Sequence, residues 1–459
     1  MNVYSEKFVS TLVGILSLLA MLLLVLQSAQ AAEPVSWTLP QAIDYALAHN
    51  PDLAVMRGQT AEAEQARLEV FGNFLPTVNL EGGYTYIGNP PVIELDMTMD
   101  APIPGMDDIE INREIEMGYH DNYLAQVTLQ QVLFASGQIY YGHRAMQTRV
   151  NASLQQEEAA QLQVAQRTAQ AYLGVLMADQ VAAARRESLR TARAHQQHVQ
   201  NRYDAGAATE FELLRAQVEV SNIEPQVIEA EKMVQTAIVM LHRVTGLPED
   251  APVTVLGPLP MESEPFSEQT ALQDAARERP ELQAINLGIE AAQDAGRAQR
   301  GGMLPAVMLT GSYGYQKPYY TIDDWEETWT IGVGVRIPLF DGLKSYRGMK
   351  RAQAQAETLT SAHRQSTADI RTQVHQAALD LRETEVRIAA TRANHERAQK
   401  VIAIAEQAYA VGAATSLEVI DAQLAATNAR VAYLKALYDY RIARVALAAA
   451  SGDLAAIGR

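Results

Sequence analysis

The sequence predicts a mixed α and β membrane protein in which four bilayer-length strands are joined to long helical rods. Three observations carry that prediction. A helix-tip motif occurs twice, four segments alternate apolar and polar residues at period two, and no run after residue 31 is apolar for long enough to cross a bilayer as a helix.

The duplication sets the order of elements. Tyr203-Asp-Ala-Gly206-Ala-Ala-Thr209-Glu-Phe-Glu212 returns as Tyr409-Ala-Val-Gly412-Ala-Ala-Thr415-Ser-Leu-Glu418, so Gly206 corresponds to Gly412. Leu133-Phe134 and Gly246 keep the same offset to Leu339-Phe340 and Gly452. Asn50-Pro51 and Leu75-Pro76 return at a longer offset as Arg279-Pro280 and Leu304-Pro305, so the first copy carries extra residues between Tyr86 and Leu124. Each copy reads short helix, strand, connection, strand, long helix, glycine-centred turn, long helix. The first repeat is placed at 32–247, an irregular proline-marked linker at 248–265, and the second repeat at 266–459.

Residues 1–31 read as an export signal: Lys7, an apolar run from Phe8 to Leu26, and Ala29-Gln30-Ala31 as a small-residue cleavage site. The competing reading is an uncleaved anchor, because the apolar run is long for a signal. With no cysteine, a disulfide framework, a thiol nucleophile and a lipid-modified cysteine are excluded. A net charge of −17 argues against nucleic acid as a partner.

The four alternating segments are placed at 75–87, 122–132, 304–316 and 328–338. Val78, Leu80, Tyr84 and Tyr86 oppose Thr77, Asn79, Glu81 and Thr85; Tyr123, Val127 and Leu129 oppose Gln126, Thr128 and Gln130. In the second copy Val307, Leu309, Tyr313 and Tyr315 oppose Thr310 and Ser312, and Trp329, Ile331, Val333 and Val335 oppose Thr328, Thr330 and Arg336. Each segment approaches the ~9–11 residues of a tilted membrane strand, and the tyrosines and Trp329 sit where interfacial aromatics belong. A soluble sandwich with one wet face is the other reading of this alternation. If the strands do cross lipid, four cannot close a barrel, since the smallest spanning barrels have about 8 strands and open edges are not tolerated there. Several copies must then share one barrel.

Roughly 60 residues separate Gly137 from the first tip and Gly342 from the second, which gives rods on the order of 90–100 Å. Leu162, Ala165, Ala169, Tyr172 and Leu176 step by three and four, as do Val374, Ala378 and Leu381, followed by Ile388. The same pattern would serve a coiled-coil bundle without a channel.

At the tips, Gly206 and Gly412 suit the left-handed residue that closes a helix, and Thr209/Glu212 and Thr415/Glu418 form Thr-x-x-Glu capping boxes. The plain role of both glutamates is capping. A sharper role comes from Glu418 and Asp421, one turn apart on the same helix face: near a symmetry axis such carboxylates would crowd together and attract cations. Arg215 replaces Asp421 in the first copy.

These residues, with Pro338-Leu339-Phe340-Asp341-Gly342 and the duplicated strand-strand-hairpin order, resemble the TolC-like outer-membrane efflux protein family across the chain from about Trp37 to Gly452. The resemblance implies a homotrimer in which each protomer gives four strands to a twelve-stranded barrel in outer-membrane lipid, continued by a coiled-coil α-helical barrel across the periplasm. It implies a periplasmic adaptor and an inner-membrane transporter as partners. The sequence carries no nucleophile elbow, phosphate loop, zinc motif or dinucleotide fingerprint, so no cofactor and no enzymatic activity are expected. Glu418 and Asp421 match the family's acidic entrance positions, and Tyr409 and Glu212 match positions that hold the entrance shut. Ala414 stands where some members carry a basic residue. Tyr203, Gly206, Thr209, Leu213, Tyr409, Gly412, Thr415 and Val419 match the motif offered to adaptor hairpins; building the turn is the other role open to them. The expected function is an exit duct of a tripartite export system. A type I protein-secretion component and a periplasmic coiled-coil scaffold without a channel are the alternatives.

Two other clusters are set aside. His195 and His198, three residues apart, are read as a solvated helix face rather than a metal site. Met97, Met99, Met106 and Met117, among acidic residues of the 88–119 insertion, are read as part of a mobile acidic loop.

Overall fold

The computed structural model describes residues 35–99, 109–116, 118–257, 265–320 and 322–458. The export signal at 1–31, Met106 and Met117, and Pro258 and Pro260 of the linker lie outside the described residues. In chain order the elements are β1 (Val35–Trp37), α1 (Leu39–His49), α2 (Pro51–Phe71), β2 (Thr77–Tyr86), β3 (Val92–Met99), β4 (Ile109–Glu116), β5 (Asp121–Phe134), α3 (Gln138–Asp204) and α4 (Glu210–Thr245). They continue with β6 (Val253–Val255), α5 (Glu268–Glu278), α6 (Pro280–Gly301), β7 (Ala306–Lys317), β8 (Glu326–Arg336), α7 (Lys344–Ala410), α8 (Ser416–Ser451) and α9 (Leu454–Ile457). The duplication is reproduced to the residue in the long helices: α3 and α7 each have 67 residues, and α4 and α8 each have 36. At 1.5 Å per residue the longer pair measure about 100 Å each. No helix among the described residues is long and apolar enough to cross a membrane.

Contacts divide the chain into two compact units. One takes in Arg57–Glu157 and Pro280–Ser366 and holds the antiparallel sheet β2-β5-β7-β8. Its register confirms the two faces read from the sequence. Leu80, Val127, Tyr313 and Trp329 align across all four strands, as do Asn79, Thr128, Ser312 and Thr330 one residue away. The polar face is stitched by side chains: Gln126 Nε2 donates to Glu81 Oε2 at 3.0 Å, and the Ser312 and Thr330 hydroxyls lie 2.8 Å apart. The apolar face has no cover in the protomer, with Leu80 81% and Ile331 72% exposed.

Aromatic side chains sit towards one end of this sheet, where Tyr84 and Tyr123 are paired with ring centroids 5.1 Å apart. Exposed Phe74, Leu75, Leu133, Phe134, Leu339 and Phe340 mark the opposite end. The sequence pattern had used several of these only as repeat landmarks.

Below the sheet the helices of this unit pack closely. Asp294 of α6 is almost fully buried between Arg144 of α3, at 2.9 Å, and Arg297, at 2.7 Å. A Cβ on Gly301 would come within 2.7 Å of the Gln138 amide nitrogen.

Two expectations are corrected. The 88–119 insertion contains a hairpin rather than a loop throughout: β3 pairs with β4, and Ile93, Leu95, Met97 and Met99 stand in register with Ile115, Arg113, Ile111 and Ile109. Its acidic residues alternate with these positions at period two, a strand pattern hidden by the density of charge. The 248–265 linker likewise contains β6, which pairs in parallel with β1. The described residues therefore hold eight strands, four of them in the main sheet.

The other unit takes in the chain up to Met56, Glu158–Arg279 and the chain from Thr367. Its main core joins Trp37, Leu39 and Ile43 to Leu162, Ala165, Ala169, Tyr172 and Leu176 of α3, with Leu241, Val445 and Ile457. The α7 seam residues Val374, Ala378, Leu381 and Ile388 are buried too. The Tyr172 hydroxyl, buried with its helix, is held between the carbonyls of Trp37 and Leu256, fastening the ends of both short strands.

The repeat also builds two equivalent clasps. Asn50, between α1 and α2, donates to the Val244 carbonyl near the end of α4 and accepts from the amides of Asp52 and Leu53. Its counterpart Arg279, between α5 and α6, donates from Nη1 to the Ala449 and Ala450 carbonyls near the end of α8 at 2.9 and 3.3 Å. Each satisfies carbonyls that a helix C-terminus leaves without partners.

The clasps leave little room. At Gly246, φ is +78° and an added Cβ would lie 2.5 Å from the His49 carbonyl oxygen. Gly246→Ala is therefore expected to cost about 2 kcal/mol or more, from left-handed strain plus overpacking. Gly58→Ala, on an exposed face of α2 with nothing within 4 Å, should stabilise by roughly 0.5–1 kcal/mol. Thermal denaturation of the two variants should give shifts of opposite sign.

Candidate functional site: the helix tips

Each long hairpin ends in the same local structure, dictated by its sequence. Gly206 and Gly412 adopt φ of 72° and 76°. The Gly206 amide donates to the Tyr203 carbonyl and that of Ala207 to the Arg202 carbonyl; Gly412 and Ala413 repeat this with Tyr409 and Ala408. This is the paired bonding of a Schellman motif, which a glycine in the left-handed region permits.

The next helix then starts with a complete capping box. The Thr209 amide donates to Glu212 Oε2 at 2.9 Å while the Glu212 amide donates back to Thr209 Oγ1 at 3.2 Å. Thr415 and Glu418 do the same at 2.7 and 3.3 Å. Both glutamates therefore serve as caps. The Thr415 amide and hydroxyl hold the Glu418 carboxyl below the usual glutamate range.

Beyond their backbones the two tips differ. Tyr409 is buried, packed with Val199, Leu213, Ala216 and Val419, whereas its counterpart Tyr203 is exposed. The Arg202 guanidinium lies 4.9 Å from the centre of the Tyr409 ring. Burial pushes the Tyr409 phenol upward, with Arg202 opposing. Of the residues matched to adaptor docking, Tyr203, Gly206, Thr209, Gly412 and Thr415 are exposed, while Leu213, Tyr409 and Val419 form the tip core. Ala414 packs against that core.

Asp421 is exposed on α8, and the structure brings to it a carboxylate the sequence pattern missed. Glu219 of α4 is half-buried; burial first, and then the charge of Asp421, raise its pKa, with Arg215 acting in the opposite direction. The repeat hides Glu219, because its counterpart is Ala425.

His195 corrects a third expectation. It is half-buried rather than solvated, with its Nε2 2.9 Å from the Oγ of buried Ser416 and its ring 5.1 Å from that of Tyr409. Its neighbours on the helix explain this: Ala192 and Val199, three before and four after, are both buried, so His195 lies on the inward stripe. His198 stays exposed, 5.8 Å from Tyr409 between ring centres. Among the described residues no cluster of histidine and acidic side chains is placed to hold a metal ion.

The raised pKa of Glu219 gives a signed prediction. Its charged form is disfavoured in the folded protein, so the penalty is full above the folded pKa and is lost as the pH falls through that value towards the unfolded one. Glu219→Gln should therefore raise the thermal midpoint at neutral pH, and the gain should vanish below about pH 4.

Comparison with known proteins agrees with this architecture. Residues 42–247 and 271–453 match the family model described as outer membrane efflux protein. The alkaline protease secretion protein AprF of Pseudomonas aeruginosa is 26% identical over 332 residues, 70% of this chain and 68% of AprF. The outer membrane efflux protein BepC of Brucella suis is 24% identical over 408 residues, 88% of each chain. The crystal structure of the CmeC outer membrane channel of Campylobacter jejuni superposes with a TM-score of 0.72 at 19% identity, covering 90% of this chain and 85% of CmeC, which is a likeness of fold.

Proposed function

The chain belongs to the outer membrane efflux protein family, and from that membership we propose how its parts work as a gated homotrimeric conduit. The protein is an outer-membrane exit duct for tripartite export or type I secretion, extending into the periplasm. In the proposed assembly β8 of one copy pairs with β2 of the next, so that three copies close a twelve-stranded barrel continued by their long helices.

The observation that carries this reading is the two-faced sheet with an uncovered apolar side. Leu80, Ile331, Val333 and Val335 would face lipid, and the Thr, Ser and Gln rows would line water. The channel is passive in this reading, and the inner-membrane transporter supplies the energy.

Gating is assigned to the tips. Asp421, Glu418 and the newly placed Glu219 would converge near the trimer axis, while Tyr409 and the capped Glu212 hold the closed packing. Exposed Tyr203, Gly206, Thr209, Gly412 and Thr415 would meet a periplasmic adaptor, and buried Leu213 and Val419 would keep the tip in shape. A type I protein-secretion duct is the second reading, favoured by the similarity to AprF.

Two experiments test the assembly. Val333→Arg should cost about 2–4 kcal/mol at mid-membrane and deplete heat-modifiable trimers from outer-membrane fractions, whereas Thr330→Arg should be tolerated. Equal effects of both would remove the lipid assignment. In planar bilayers, Glu418→Ala with Asp421→Ala should weaken block by divalent cations added on the periplasmic side; unchanged block would remove these carboxylates from the gate.

A further inference from the structure

We propose that His195 is an acid-sensitive latch on the helix tips: charging its imidazole loosens α3 from the start of α8 and lets the entrance open. This rests on the tips being the gate.

The geometry is particular to this point. Ser416, the first residue of α8, is 2% exposed, and the His195–Ser416 hydrogen bond ties the first hairpin to the second. His195, His198, Glu406, Tyr409, Val419 and Gln423 line a cavity of about 260 Å³ between α3 and the second hairpin. The buried Tyr409 hydroxyl makes no hydrogen bond of normal geometry there.

The surrounding charges oppose an imidazolium. On α3 itself stand His198 and Arg202, whose guanidinium already lies over Tyr409. On α8 the first turn presents the positive end of the helix dipole beside Ser416, with the Glu418 and Val419 amides already bonded to Thr415. The carboxylates nearby are largely committed: Glu418 is bound into its cap, and Glu212 of α4, whose charge reaches Tyr409, is bound into the other. Glu406 of α7 lines the cavity but is exposed, so water screens it.

Burial, and then His198, hold the His195 pKa below the ordinary histidine value. The sign follows. The closed packing keeps its full stability above the unperturbed pKa of about 6.5 and loses it progressively as the pH falls below that value. A protonated His195 still hydrogen-bonds Ser416, so the loosening comes from burying charge, not from losing the bond.

The absence of native cysteine makes a direct test simple. Ala414→Cys places one thiol against the tip core, and its labelling rate in reconstituted trimers is compared with the same cysteine in a His195→Gln background, so that the intrinsic pH dependence of the thiol cancels. Between about pH 7.5 and 5.5 the ratio should rise about threefold or more. His198→Gln should leave the rise in place. A flat ratio, or a rise abolished by His198→Gln alone, overturns the latch. If His195→Gln does not yield trimers, the single-cysteine protein is compared with His198→Gln: removing the neighbouring like charge should move the transition to higher pH, and a transition that is lost or moved to lower pH overturns the proposal. Failure of the gate itself would show separately, as divalent block indifferent to Glu418→Ala with Asp421→Ala.

Discussion

The constraint on which the rest depends is that backbone amides and carbonyls inside lipid must all be paired. Among the described residues β2 pairs only with β5, and β8 only with β7, so the sheet has two open edges there. Its apolar face is uncovered and its opposite face is a lattice of hydroxyl and amide side chains. Such a sheet suits neither a soluble core nor an isolated membrane protein. In the proposed assembly, closure with other copies would meet the edge requirement and leave a hydrated interior, so duct and oligomer would follow from the same constraint.

Duplication sets the second level of the structure. The two repeats give helices of equal length and equivalent clasps, yet the clasp chemistry differs: an amide at Asn50 and a guanidinium at Arg279 do the same work on helix-end carbonyls. At the tips the backbone solution is again shared, through left-handed glycines and capping boxes, while the side chains diverge. Tyr409 is buried under Arg202 and Tyr203 is exposed; Asp421 has Arg215 as its counterpart. Duplication thus conserves what the fold needs, and divergence makes the side chains of the two tips unlike each other.

Misreadings of the sequence have a common cause. Composition alone suggests loops for the acid-rich insertion and the proline-marked linker, although their pairing depends on partners, β4 for β3 and β1 for β6, whose presence composition does not report. His195 was judged with His198, its polar neighbour, although its depth follows from Ala192 and Val199 on the inward stripe. Glu219 had no counterpart in the other repeat and so gave no signal at all.

By itself the sequence determined the repeat, the strand faces, the long helices and the capped turns, because each follows from periodicity or from the local conformational demands of Gly, Thr and Glu. The tertiary structure alone shows which tip tyrosine is buried, that the charge of Asp421 reaches Glu219, and that His195 reaches Ser416. These contacts join residues roughly two hundred positions apart, and the approach of one hairpin to another is set by packing between helices rather than by any local pattern within them.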